Sequence, residues 1–310
     1  MSVVEQTTLA KPVAAGGVAL HSGRNTRIIL RPAAADQGVL FRRIDLLDEG
    51  LLRDGAEDYD RISIKARPSA VSETRLGTTL INTSGIAIAT VEHVMAALAI
   101  CGVDNVIIDI VGSEVPIFDG SAAPFVQLLR QAGLMTLDAP RRAVKIRTPK
   151  IVEDGDRFIA MEPTDDFDLE VTVDFDDSAI GRQTVSLNLD DRTCVDRLAR
   201  ARTFCLFRDV EAMRSAGFGR GGSLDNSLVV DNGRILNDDG LRDPQEFALH
   251  KALDLLGDLY LLGAPVIGRV RAHKPGHDLN ICVARLLEVD PELAERTPAS
   301  AILENERQFA

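Results

Sequence analysis

The chain has 310 residues, 45% of them hydrophobic, enough for one large core or two ordinary ones, and two domains suit that length better. Forty-seven acidic against thirty-five basic residues give a net charge of -12, which excludes a general nucleic-acid binder because no cationic excess exists to neutralise phosphates. Cys101, Cys194, Cys205 and Cys282 stand far apart without C-x-x-C spacing and read as reduced thiols. With no signal-like N-terminus and no apolar run approaching the roughly 18 residues of a membrane span, a cytoplasmic protein without stable membrane insertion is expected.

In chain order, residues 26–30 and 38–42 alternate as strands of a half-exposed sheet do. Thr90 suits the N-cap of a helix over 91–100, with Gly102 as its terminator, before a strand at 105–110 and a helix at 124–129. The polar, proline-bearing segment 138–142 reads as a boundary that divides the chain into 1–138 and 139–310. Strand-like alternation follows at 144–146 and 171–175, and residues 209–215 read as a helix ahead of the glycine-rich segment 217–223. Asp243-Pro244-Gln245-Glu246 then opens a helix, with an acidic N-cap, a proline at the first helical position and a glutamate three after the cap; Gly263-Ala264-Pro265 closes it. A strand at 266–270, a loop bearing His273 and His277 and a helix over 279–287 complete the second half. That half repeats the order of the first, as an old duplication would leave it. The tail from Pro291 is polar and charged, has no assigned role, and reads as partly disordered.

In the helix after Pro244, Phe247, Leu249, Leu253, Leu255, Leu256, Leu259 and Leu262 cover most of the circumference, so the helix is largely buried. Yet His250, Asp254 and Asp258 recur at i, i+4 and i+8, an imidazole and two carboxylates in one polar stripe. Burying such groups costs on the order of several kcal/mol each unless they are paired or bind a metal. Zinc suits the residue types, taking nitrogen and carboxylate ligands while a catalytic site keeps one position open for water. His250 and Asp254 supply two ligands, and His93 is the natural third. It stands beside Glu92 in the first turn of its helix. Adjacent helical side chains diverge by about 100°, so Glu92 would flank the open position, where a general base for an activated water belongs. Plainer readings stay open on the residues alone. A first-turn glutamate suits the helix dipole, an H-x-x-x-D pair is often a surface pair or a satisfied core pair, and His277 ahead of a helix has a capping or loop role as its simple reading.

Five separated motifs carry a resemblance: Thr90-Val91-Glu92-His93, Pro116-Ile117-Phe118-Asp119-Gly120-Ser121-Ala122-Ala123-Pro124-Phe125, Arg200-Ala201-Arg202-Thr203-Phe204, His250-Lys251-x-x-Asp254-x-x-x-Asp258 and Gly276-His277. In order and spacing, from about Thr7 to Leu287, the chain resembles the zinc-dependent UDP-3-O-acyl-N-acetylglucosamine deacetylases of lipid A biosynthesis. The resemblance implies an α+β fold of two related domains, each a β-sheet layered with α-helices, with the active site at their interface. It implies zinc held by His93, His250 and Asp254, with Glu92 as general base and His277 as the acid that protonates the leaving amine. Asp258 would hold and charge His277, Thr203 would donate its hydroxyl to the oxyanion, and Lys251 would contact the substrate or His277.

The implied partner is an acylated UDP-amino-sugar, bound by a protein expected to be monomeric. Its acyl chain would lie in a passage including Val210, Gly219, Gly222, Ser223 and Val229, with Leu20 and His21 at the mouth, and Phe204 would also contact the substrate. Phe175 would face the uracil and Arg157 the diphosphate, although on the residues alone these read as a core phenylalanine and a solvated arginine. Gly77 departs from the family, many members of which have a cysteine there, so thiol chemistry at that position is absent and the catalytic residues are untouched.

Overall fold

The computed structural model describes residues 4–48, 56–189 and 191–299. In the first half, one five-stranded sheet has the order Val13–Val18, Asn25–Pro32, Val106–Val111, Val39–Arg43, Ser63–Lys65. Only the pairing of Val39–Arg43 with Val106–Val111 is parallel. Alternation puts Ile28 and Leu30 of one strand and Ile108 and Ile110 of its neighbour into the core, as a half-buried sheet requires. The second half builds a seven-stranded sheet around Val266–His273. That strand pairs antiparallel with Arg157–Glu162 and parallel with Phe167–Asp174 and, at its start, with Arg142–Ile146. Smaller sheets include one formed by Phe204–Leu206, Leu228–Asp231 and Arg234–Ile235.

The two halves meet through helices. Glu92–Cys101 packs against Glu246–Tyr260; the first also contacts Ala123–Ala132, and the second contacts Phe167–Asp174, Arg182–Asn188 and the helix His277–Val289. Both central helices are buried almost throughout, which fits the near-continuous hydrocarbon of their sequences. Gly257 sets their separation. A Cβ there would overlap the carbonyl oxygen of Glu92 and stand 3.1 Å from the backbone nitrogen of Ala96, so only a glycine lets the backbones come this close. The fold is therefore α+β, with two related halves joined where the polar stripe lies. No helix among the described residues is long and apolar enough to cross a membrane.

Several local expectations need correction. Thr90 is not an N-cap: it has φ 60°, an unusual conformation for a β-branched residue, and the helix begins at Glu92. Its hydroxyl instead lies 3.2 Å from the Glu114 carboxylate. The capping box at Asp243 is also not formed. Asp243 accepts from the backbone of Gln245 and from Arg197, while Glu246 starts the helix and binds Arg202 Nε at 2.8 Å, because a buried arginine needs a buried counter-charge.

Around the boundary read at 138–142 the chain is largely extended and paired. Leu134–Pro140 is a strand paired with Glu5–Leu9, and Arg141 beyond it is buried with its Nε 2.8 Å from Asp104. The last helix begins at His277, two residues before its expected start. In the tail, Ala294–Pro298 is an edge strand on Arg142–Ile146. Its polar residues suit an exposed strand edge, which is why composition alone read as disorder. Residues 300–310 of that expected disorder lie outside the described residues.

Candidate active site

His250 and Asp254 come from successive turns of one helix face, with Nε2 3.3 Å from Oδ1. His93 reaches the same carboxylate oxygen from the first turn of the facing helix, its Nε2 3.8 Å away. The three ligand atoms all lie within 4.8 Å of one another, and all three side chains are buried. His250 donates its Nδ1 proton to the carbonyl of Ala201 at 3.1 Å, which leaves the Nε2 lone pair directed at the cluster. Asp254 Oδ1 has no hydrogen-bond partner, and Oδ2 accepts from Lys251 Nζ at 2.7 Å. A buried carboxylate oxygen without a donor, facing two imidazole nitrogens, fits a divalent cation of borderline softness. Burial alone disfavours ionised Asp254, yet His250, Lys251, His277 and His93 hold its carboxyl well below the usual carboxylate range. Burial and the neighbouring His250 push His93 down to about 3, which keeps it neutral and able to ligate.

Glu92, next to His93, accepts the backbone N–H of Thr78 at 2.9 Å. Burial raises its pKa to about 7 against the opposing charge of His277, with Asp258 and Asp254 adding to the rise. His277 behaves oppositely. Burial would lower its pKa, but the charge and hydrogen bond of Asp258 override burial and raise it to about 9. The imidazole donates Nδ1–H to Asp258 Oδ2 at 2.8 Å, so Nε2 faces the cluster, 3.9 Å from Asp254 Oδ2. Asp258 also accepts from Thr78 Oγ1 at 2.6 Å and Asn280 Nδ2 at 2.9 Å. A carboxyl with a raised pKa and an imidazolium with a raised pKa therefore flank one candidate metal centre, an arrangement suited to paired proton transfer.

A cavity of about 320 Å³ with largely apolar walls adjoins this cluster. Its lining gathers Leu20, His21, Thr203, Phe204, Val210, Gly219, Gly222, Ser223 and Val229, nine residues singled out from the sequence. Phe204 bridges to the cluster, with its ring centroid 6.1 Å from that of His250. Thr203 is fixed by its backbone, which donates to Gly120 and accepts from Leu228, both at 2.8 Å. At one end His21 donates Nε2–H to the carbonyl of Leu76 and stands edge-on to Phe218. The helix Phe207–Ser215 forms part of the wall without burying any residue, and Phe207 and Leu224 are about half exposed, so the cavity opens to solvent.

Three further residues singled out from the sequence have partners of their own. Lys251 touches Asp254, the carboxylate of the cluster, and not His277; it also stands 5.7 Å over the Phe204 ring. Arg157 lies outside the cavity and is paired with Asp154 and, at 2.7 Å, with Asp278, the residue after His277. Phe175 packs edge-on against Phe204 at 5.6 Å. Gly77 leaves space beside Glu92, since a Cβ there would stand 3.1 Å from Glu92 Oε1.

Sequence reasoning missed Thr78 and Asn280. Asn280 was within reach, since it stands at i+3 from His277 on one helix face. Thr78 had no such local signal.

Comparison with known proteins agrees with the geometry. Residues 6–288 match the model of the family described as UDP-3-O-acyl N-acetylglycosamine deacetylase. Among similar proteins, the UDP-3-O-acyl-N-acetylglucosamine deacetylase of Phenylobacterium zucineum is 44% identical over 287 residues, 93% of this chain and 94% of the relative. That of Photobacterium profundum is 44% identical over 295 residues, covering 94% and 93%. The Methylococcus capsulatus enzyme is 43% identical over 280 residues, covering 90% and 88%. The match runs from the first paired strand into the last long helix and so includes both histidine-bearing halves: the chain belongs to the UDP-3-O-acyl N-acetylglycosamine deacetylase family.

Proposed function

We propose that this protein hydrolyses the N-acetyl group of a UDP-3-O-acyl-N-acetylglucosamine, giving acetate and the free 2-amine in lipid A biosynthesis. The observation that carries the reading is the junction at Thr203 and Phe204, where the His93–His250–Asp254 cluster meets an apolar cavity. A sugar placed at that junction has its acetamide beside the cluster and its acyl chain in the cavity. Within the molecule we place the change from first to second domain at residues 138/139, and we take the protein to act as a cytoplasmic monomer.

Zinc is the metal we assign to His93, His250 and Asp254. Two imidazoles and a carboxylate would hold it, with the unpartnered Asp254 Oδ1 3.3 Å from His250 Nε2 and 3.8 Å from His93 Nε2. When bound, zinc supplies a Lewis acid that acidifies water and polarises a carbonyl.

The chain's own groups do the rest. Glu92, with a pKa near neutrality, accepts a proton from the attacking water. Thr203 donates its hydroxyl to the oxygen of the acetamide as negative charge develops there. His277, kept protonated by Asp258, gives the Nε2 proton to the departing amine. Lys251 balances the charge of Asp254 and lines the approach beside Phe204. For the nucleotide we assign Phe175 to the uracil and Arg157 to the diphosphate, where phosphate oxygens would replace the Asp154 and Asp278 carboxylates.

The test compares acetate release from the 3-O-acylated nucleotide sugar with release from the same sugar lacking the acyl chain. Burial of a long chain should favour the acylated substrate by at least about 100-fold in kcat/KM. Equal rates would remove the cavity from the account, and absence of acetate from either would remove the deacetylase reading itself.

A further inference from the structure

We infer that Thr78 is a positioning residue whose hydroxyl fixes the Asp258–His277 pair relative to Glu92. The inference rests on the roles given to Glu92 and His277 under the proposed function. Thr78 is fully buried, just before the strand Thr79–Ile81, and it touches both arms of the proton-transfer system. Its backbone N–H donates to Glu92 Oε2 at 2.9 Å, and its carbonyl accepts from the N–H of Val91 at 3.2 Å, so the main chain is tied to the start of the Glu92 helix. Its hydroxyl donates to Asp258 Oδ1 at 2.6 Å and lies 3.3 Å from His277 Nδ1.

Geometry gives the hydroxyl a specific task. Asp258 Oδ2 is engaged by His277 Nδ1–H and by Asn280, so both of those bonds act on a single oxygen. Without a donor on Oδ1 the carboxylate is free to rotate about its Cβ–Cγ bond, and the imidazole it holds turns with it. Thr78 closes that freedom. With Oδ1 pinned, Oδ2 points at Nδ1–H, the ring orientation is fixed, and Nε2–H stays aimed at the reacting amide. Because the same residue anchors Glu92 through its backbone, base and acid are referenced to one point although they stand on different helices. A buried acceptor that loses its donor is also costly to leave unmade, which makes the bond a restraint and not an incidental contact.

Thr78→Val isolates the hydroxyl, since valine keeps the β-branched shape and the backbone N–H to Glu92. Expected is a fall in kcat of roughly 10–100-fold, the usual effect of losing a partner that orients a catalytic group, with KM and metal content unchanged. Thr78→Ser should recover most of that loss because it restores the donor. In an Asp258→Asn background Thr78→Val should cost much less than in the wild type, because groups acting through one another are not additive. Should valine disturb folding, seen as a lowered melting midpoint, Thr78→Ala gives the same comparison without a methyl in the place of the hydroxyl. Wild-type kcat in both hydroxyl-free variants would overturn the inference, as would a serine variant as slow as valine or full multiplication of losses in the double variant. A wild-type protein that releases no acetate would instead overturn the proposed function on which the inference rests.

Discussion

Asp258 Oδ2 and His277 Nδ1 lie 2.8 Å apart, a buried carboxylate against a buried imidazole carried by a different helix. The pair explains how an imidazole in a desolvated site keeps its proton: the charge and hydrogen bond of Asp258 outweigh burial and raise the pKa to about 9. Burial moves Glu92 to about 7. The two shifts act in the same direction, but on groups for which the proposed mechanism needs opposite protonation states.

Activity should therefore follow a bell in kcat/KM, rising as Glu92 loses its proton and falling as His277 loses its own. A bound divalent cation adds positive charge near Glu92 and should bring the acidic limb below about 7. Asp258→Asn removes the negative charge that favours the imidazolium, so the basic limb should move to lower pH and the maximum should fall. A basic limb unmoved in this variant, read from pH–rate profiles, would mean that His277 does not set it.

Metal affinity should depend on all three members of the cluster. His93→Ala, His250→Ala and Asp254→Ala each remove one protein ligand from a proposed set of three, and each should reduce metal retained per chain after dialysis from about one towards zero. Full occupancy in two of these variants, measured by elemental analysis, would move the metal elsewhere.

Gly222→Met should discriminate between acyl chains. Gly222 lines the cavity, and a Cβ there would have Gly219 O at 3.3 Å, Leu20 Cδ1 at 3.7 Å and Gly219 C at 3.9 Å as its nearest neighbours, so a side chain can be built but must occupy the passage. Long-chain substrates should lose kcat/KM while short-chain ones keep theirs. A uniform loss across a chain-length series would indicate damage to the fold and no passage at this position.

Gly257→Ala tests the closeness of the two central helices. Alanine is ordinarily the better helix former by about 1 kcal/mol, but here its Cβ would overlap the Glu92 carbonyl. Net destabilisation of about 1–3 kcal/mol is expected, together with lost activity as Glu92 and Asp258 move apart. Denaturant unfolding that shows a gain in stability would contradict that packing.

How much of this was legible in the sequence depended on whether the contact was local. The spacing of His250, Asp254 and Asp258 marks one face of one helix, and the greasy surroundings of that face give it chemical meaning before any tertiary contact is known. Gly102 as a left-handed helix terminator was legible for the same reason. Thr90 and Glu246 were misread because local capping rules compete with distant partners, Glu114 for one and Arg202 for the other. Thr78 lies 180 positions from Asp258, and Arg141 lies 37 from Asp104; neither spacing leaves a periodic trace. The motif resemblance supplied the cavity residues, since Leu20 and Val229 come from different halves of the chain and no pattern in either segment joins them.

The most direct test is acetate release by metal-loaded Glu92→Ala beside the wild type, with the metal content of both determined on the same samples. The account predicts equal metal and a fall in kcat of about 10²–10⁴, the contribution of a positioned general base. Undiminished acetate release by the variant at full metal occupancy would contradict it.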